Sequence, residues 1–212
     1  MKKFLFVLTA MVILFSLTAC NTVMSTTKPN TNLISQTQIT DREKMFLSIG
    51  NDEHFIFDFN VDTKYKWLEV WVDRYEFGEK VLGTGKLSTG LSQGKEGMII
   101  ATVNEFEKMK QNFTLVINNG GATSKIETNQ EYKVVENCSF SKMWGTNTSE
   151  TISINDMEIT LASICYQDQS KSNSMSSLTD EFFSNPEENT KQIENYSLVY
   201  LLKCKFYENS PN

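Results

Sequence analysis

Trp67, Glu69, Trp71 and Asp73 alternate with Leu68, Val70 and Val72 along one stretch. In an extended strand these four polar-tipped or charged side chains share a face, with the two tryptophan Cα atoms about 13 Å apart. Two indoles at that spacing make a flat apolar platform, flanked by carboxylates. Sugar rings present C–H faces that stack on aromatic rings, while their hydroxyls bond to neighbouring carboxylates. Trp67 and Trp71, with Glu69 and Asp73, are therefore the candidate ligand-binding residues. The competing reading buries both indoles between two sheets, where aromatic side chains usually go. Carboxylates facing each other across a groove are also the equipment of glycoside hydrolysis, so an envelope enzyme of the wall-hydrolase kind is the alternative to a binding module.

Other chemistry is thinner. Asp58, Asn60 and Asp62, with Glu69 eleven residues after Asp58, match several ligand positions of a calcium loop. Thr63 stands where that loop needs glycine for its sharp turn, so only a looser site on Asp58, Asn60 and Asp62 survives as a weak alternative to a solvated hairpin. The chain has a single histidine, His54, beside a turn, and no nucleophile or orienting acid stands near it in sequence. Phosphate loops, serine-nucleophile elbows, zinc-protease motifs and dinucleotide fingerprints are absent from the sequence, so no cofactor and no catalytic residue is assigned.

These residues would be positioned by strands. Phe55, Phe57, Phe59 and Val61 alternate with polar neighbours, and a long strand follows over 65–77 with a turn at Phe77-Gly78-Glu79. Lys80 to Leu87 returns beside it, with Gly83 and Gly85 marking a bulge or a close approach. Further strands read over 97–103, 113–118, 122–128 and 132–135, with Asn118-Asn119-Gly120-Gly121 as a tight hairpin turn. Residues 151–154 and 157–166 read as a hairpin across Asn155-Asp156, and Leu198, Tyr200, Leu202, Cys204 and Phe206 share a face of the closing strand. Thr40 and Glu43 fit a capping box, giving a short helix over 41–47 or, alternatively, an edge strand around Met45–Ile49. A second short helix is expected near 178–183, ended by Pro186. The fold class is all-β, an antiparallel β-sandwich or partly open barrel with one or two short helices.

The N-terminus is an address. Lys2 and Lys3 precede an apolar run from Phe4 to Leu17, and small residues lead to Cys20. That order reads as a secretory signal, too short and wrongly flanked for a transmembrane helix. Leu17-Thr18-Ala19-Cys20 resembles the lipobox of bacterial lipoproteins. The resemblance implies cleavage before Cys20, diacylglyceryl transfer to its thiol and two acyl chains holding the protein on the outer face of the cell membrane. The stretches Tyr65–Val72 and Val199–Lys205 are similar to those of uncharacterised lipoproteins of Bacillus-like bacteria, a resemblance that implies no activity. The organisation expected is a signal peptide over 1–19, a lipidated spacer rich in Ser, Thr, Asn and Gln over 20–40, and one β-rich domain over 41–208.

Charge agrees with display away from lipid. Taking Lys2 and Lys3 from the 20 basic residues leaves 18 against 26 acidic, a net charge of −8. Such a chain is repelled by an anionic surface and by nucleic acid. Beyond Cys20, an odd set of cysteines remains, Cys138, Cys165 and Cys204. Buried thiols are expected, with a Cys165–Cys204 disulfide as the alternative. The sequence thus predicts an exported, lipid-anchored, non-catalytic module whose partners are the membrane and an envelope protein or glycan.

Overall fold

Phe55, Phe57 and Phe59 are all buried on strand β2 (Glu53–Asn60), while Asp58 between them is exposed. This is the half-buried strand that period-two alternation predicts. The computed structural model describes residues 31–50, 52–81, 83, 85–91, 96–107, 110–132, 139–170 and 176–211.

Strand β2 belongs to an antiparallel sheet, sheet A. Its other members are β1 (Leu33–Gln36), β6 (Glu96–Glu107), β7 (Lys110–Asn119), β8 (Ala122–Glu131) and β10 (Ile152–Ser153), in the order β10-β1-β2-β6-β7-β8. Sheet B holds β3 (Trp67–Glu76), β4 (Glu79–Val81), β9 (Phe140–Thr146), β11 (Ile159–Asp168) and β12 (Leu198–Tyr207), in the order β4-β3-β12-β11-β9. A further strand, β5 (Leu87–Gly90), also pairs with β3. Both sheets are open, so the architecture is a sandwich.

The core between the sheets takes alternate residues from each. Phe57, Ile99, Leu115 and Ile117 of sheet A meet Leu68, Val70, Leu198 and Phe206 of sheet B. Phe206 packs edge-on against Phe59, with ring centroids 5.4 Å apart. Gly97 makes room for this contact. A Cβ there would collide with the Phe59 ring and stand 2.6 Å from the Asn118 carbonyl. The β7–β8 turn is the tight one expected, with Gly120 and Gly121 at φ 58° and 83°.

Sheet B is covered on its second face as well. Cys165, Val199 and Leu201 point away from sheet A and pack against Leu178, against Phe182 and Phe183 of helix α2 (Asp180–Ser184), and against Ile193 of a 3-10 helix (Thr190–Asn195). Two-sided cover explains why β11 and β12 read as near-continuous buried runs rather than alternating ones. Helix α1 (Asp41–Ser48) forms with its capping box complete, Thr40 and Glu43 bonding reciprocally, and buries none of its side chains.

Three expectations are corrected. Leu33–Gln36, which composition assigns to the spacer, is strand β1 between β10 and β2, with Ile34 fully buried. Asn32 leads into it at φ 65°, a left-handed conformation that asparagine tolerates. Its N–H donates to the Asn60 carbonyl at 2.7 Å and its own carbonyl accepts from Ile154 N–H at 2.7 Å. Its side-chain amide exchanges two further bonds with Asp62, at 2.9 and 3.0 Å. The hairpin across Asn155-Asp156 does not form either. β10 pairs with β1 in sheet A, whereas β11 lies in sheet B, so the chain crosses between layers there. The return strand over 80–87 is split into β4 and β5, with Gly83 pressed to where a Cβ would sit 3.1 Å from the Val72 carbonyl. Of the strand expected over 132–135, residues 133–135 lie outside the described residues.

Because Ile34 is sealed between β10 and β2, Ile34→Ala is expected to cost about 2–5 kcal/mol. Chemical denaturation of the two forms side by side measures it. A change within experimental error would mean that β1 is dispensable to the core.

Candidate functional site

Leu68, Val70 and Val72 face the inter-sheet core, so Trp67, Glu69, Trp71 and Asp73 point from β3 to the outer face of sheet B. The four do share a face. It is neither a bare platform nor part of the inter-sheet core, because side chains from β12 and from the β4–β5 segment close over it. Trp71 is 4% exposed and Trp67 half-buried.

The cover is a lattice of charges. Trp71 Nε1–H donates to Asp73 Oδ1 at 3.1 Å. The other Asp73 oxygen accepts from Lys80 Nζ at 2.8 Å and faces Lys203 Nζ at 3.1 Å. Lys203 also reaches Glu158 at 3.2 Å. Glu69 accepts from Tyr207 Oη at 2.8 Å and from Lys86 Nζ at 3.2 Å. The Lys86 ammonium sits 4.6 Å from the Trp71 ring centroid. Buried charges persist when paired and hydrogen-bonded in this way, and losing one partner leaves the other uncompensated.

The electrostatics follow the packing. Burial alone would lower the Lys203 ammonium, but Tyr75, Asp73 and Glu158 together carry it above its ordinary value. Burial, with the bond to Glu69, pushes the Tyr207 phenol up to about 12. Glu69 and Asp73 stand about 13 Å apart at Cα along the strand, and each is held by a lysine.

The remaining sequence candidates disperse. Asp58 faces out from sheet A and Glu69 faces out from sheet B, so the calcium frame is spread over opposite sides of the sandwich. Asp62 is engaged by Asn32 and Lys64, and Asn60 by Glu96. Cys165 and Cys204 are both free thiols. Cys204 points into the inter-sheet core and Cys165 into the outer one, so a disulfide between them is ruled out by the pleat. Burial pushes the Cys165 thiol up to about 12, which leaves it without thiolate at neutral pH. Cys20 and Cys138 lie outside the described residues.

The structure brings together a different set. β1 pairs with β2 only from Gln36↔Phe57 to Leu33↔Asn60, and among the described residues no strand continues along the Glu53–Phe55 flank. Opposite that gap runs β9, the edge of sheet B. Lys142, Trp144 and Thr146 share its inward face, since they pair with the core-facing Tyr166, Ile164 and Ala162. Two bridges cross between the sheets: Lys142 to Glu53 at 3.4 Å, and Thr146 Oγ1 donating to Gln36 Oε1 at 3.2 Å. Burial raises the Glu53 carboxyl more than Lys142 lowers it. Between the bridges Trp144 faces no strand and stays 52% exposed. It lines an open groove of about 380 Å³ with His54, Gln36, Thr148 and Asp180. Thr148 Oγ1 donates to Asp180 Oδ1 at 2.6 Å. His54 is thus a half-buried strand residue rather than an exposed turn one. Trp144 escapes sequence reading because β9 has no apolar alternation. The signal present is Trp144 and Phe140 sharing a face with Lys142 and Thr146.

A second open groove, about 630 Å³, runs beside the charge lattice between residues 147–160 and the end of α2, with Lys203 and Lys205 along it.

Two outcomes test this arrangement. Asp73→Asn strips a partner from two lysines and is expected to cost on the order of 2 kcal/mol. That is less than for a fully buried pair, because Lys203 keeps Glu158 and Lys80 is half exposed. Trp71→Ala is expected to lower the melting temperature sharply and Trp144→Ala only slightly. Lys203 and Tyr207 both have raised values in the fold, so their contribution is complete below about pH 10 and is lost as pH rises toward 12. Stability should fall as pH rises through that range, with a shallower fall in Tyr207→Phe.

Residues 33–206 match the family model of the YgaN domain. No curated protein and no solved structure matches the chain.

Proposed function

The chain belongs to the YgaN domain family, and from that premise we propose that it is an exported, lipid-anchored, non-catalytic binding module of the cell envelope. The observation that carries the choice of binding over hydrolysis is the state of Glu69 and Asp73. Each carboxylate is engaged by a lysine and by a tyrosine or indole donor, which supports binding over hydrolysis. A retaining or inverting glycosidase needs one of its two carboxyls free to give up a proton.

The location rests on the N-terminal order of Lys2-Lys3, apolar run and Leu17-Thr18-Ala19-Cys20, and on the acidic balance of the rest. With β1 starting at Leu33, the spacer shortens to about twelve residues, an extended reach of roughly 40 Å. The spacer joins the sandwich beside Asn60, and Glu53 stands about 24 Å further along β2. The partner expected is an envelope protein or glycan.

Mass spectrometry of the mature protein is expected to find diacylglyceryl-cysteine at residue 20, and Cys20→Ala to shift the protein out of the membrane fraction. An unmodified Cys20 would refute the anchor. The intact protein incubated with cell-wall polysaccharide should release no reducing ends. Release that disappears in Glu69→Gln or Asp73→Asn would instead establish the hydrolase.

A further inference from the structure

The groove around Trp144 is built by the fold rather than left by loose packing. It occupies the place where a longer β1 would cover β2, and an inter-sheet bridge stands on either side of it. Among the described residues that line it, Trp144 is the exposed large apolar side chain, on an edge strand whose neighbouring inward residues, Lys142 and Thr146, are tied across to sheet A. The ring is 52% exposed and forms part of the wall of the concavity.

Buried Phe55 and Leu178 form part of the groove's wall, and Gln36, Thr146, Thr148 and Asp180 offer an amide, two hydroxyls and a carboxylate. The His54 side chain leaves β2 on the outer face of sheet A, at the groove's edge. The amide, hydroxyls and carboxylate form directional hydrogen bonds. Among the described residues no lysine or arginine lines the groove, whereas Asp180 brings a carboxylate to it. An anionic ligand such as a phosphate or uronic acid is therefore repelled. A purely apolar ligand would leave those polar groups desolvated without partners. The ligand that satisfies both halves has an apolar face and a ring of hydroxyls. The volume of about 380 Å³ falls at the lower end of small-ligand sites, room for one or two rings rather than a folded partner.

We propose that this groove is a carbohydrate-binding site for a neutral pyranose ring, stacked on Trp144 and held at its hydroxyls by Gln36 and Asp180. The inference rests on the binding reading above and gives it a site and a ligand class. Stacking supplies most of the affinity, because the C–H face of the ring leaves water against the indole. The polar groups fix which hydroxyls are presented, and they discriminate strongly because a missing hydroxyl leaves a buried partner unpaired. The bridges keep the two walls at a constant distance, so the site is ready-formed and loses little on closing.

The test is a glycan array carrying neutral, amino-acylated and acidic pyranosides, probed with the intact protein in a sugar-free detergent. Wild type should retain a set of neutral pyranosides and no acidic one. Trp144→Ala should lose that set by at least tenfold, Trp144→Phe should keep part of it, and Lys125→Ala on the exposed face of β8 should keep all of it. Melting curves check that the Trp144 variants remain folded, as a half-exposed edge residue allows. Retention of acidic sugars alone, or neutral binding indifferent to Trp144→Ala, overturns the proposal. No glycan bound, together with an envelope protein crosslinked to the domain in cells, overturns the proposal and leaves the binding reading standing. No glycan and no crosslinked partner overturns both.

Discussion

Strand β12 cannot leave either of its faces in water. Leu198, Tyr200, Leu202, Cys204 and Phe206 line one side, and Val199 and Leu201 line the other. One sheet satisfies only the first set. The second set brings in α2 and the 3-10 helix, which lie over the half of sheet B where the outward residues are apolar. Further along the same face the outward residue is Lys203, across from Trp71, and an apolar lid there would strand a charge. The cover therefore changes from helices to ion pairs in the middle of the sheet. Asp73 sits at the change, one oxygen on the indole and the other between Lys80 and Lys203.

This division accounts for what the face can do. A tryptophan pair flanked by acids looks like a binding platform when only its own strand is considered. The residues that close it come from elsewhere, and Tyr207 stands 138 positions from the Glu69 it bonds. Four side chains on one strand face follow from spacing alone. Whether that face meets water depends on neighbours that spacing does not reveal.

Elements with one buried and one wet face were the legible ones. β2, β7 and the inner face of β12 show their alternation openly, and the Asn-Gly turn and the capping box carry local chemistry that needs no tertiary partner. β1 hides because only Ile34 is fully buried in a polar stretch. β9 hides for a related reason: of its inward residues Phe140 packs against the core, and the other three meet two bridges and a gap. β10 and β11 were visible as strands, but their membership of different sheets is decided by Asn32 and Leu33 on one side and by β12 on the other. The Trp144 groove is a product of those same hidden elements, which is why it left so little trace in the sequence.

Asn32 has a mechanical meaning. A pull arriving from the residues ahead of it meets four hydrogen bonds gathered on this one residue, two through its backbone and two through its amide, before any of the force reaches β1. Those bonds spread the load to three separate places, at Asn60, Asp62 and Ile154. A four-residue strand held only by its own ladder would peel one rung at a time from its free end. With its first rung riveted to two loops, the bonds must yield together, and the rupture force is set by the rivet instead of the strand.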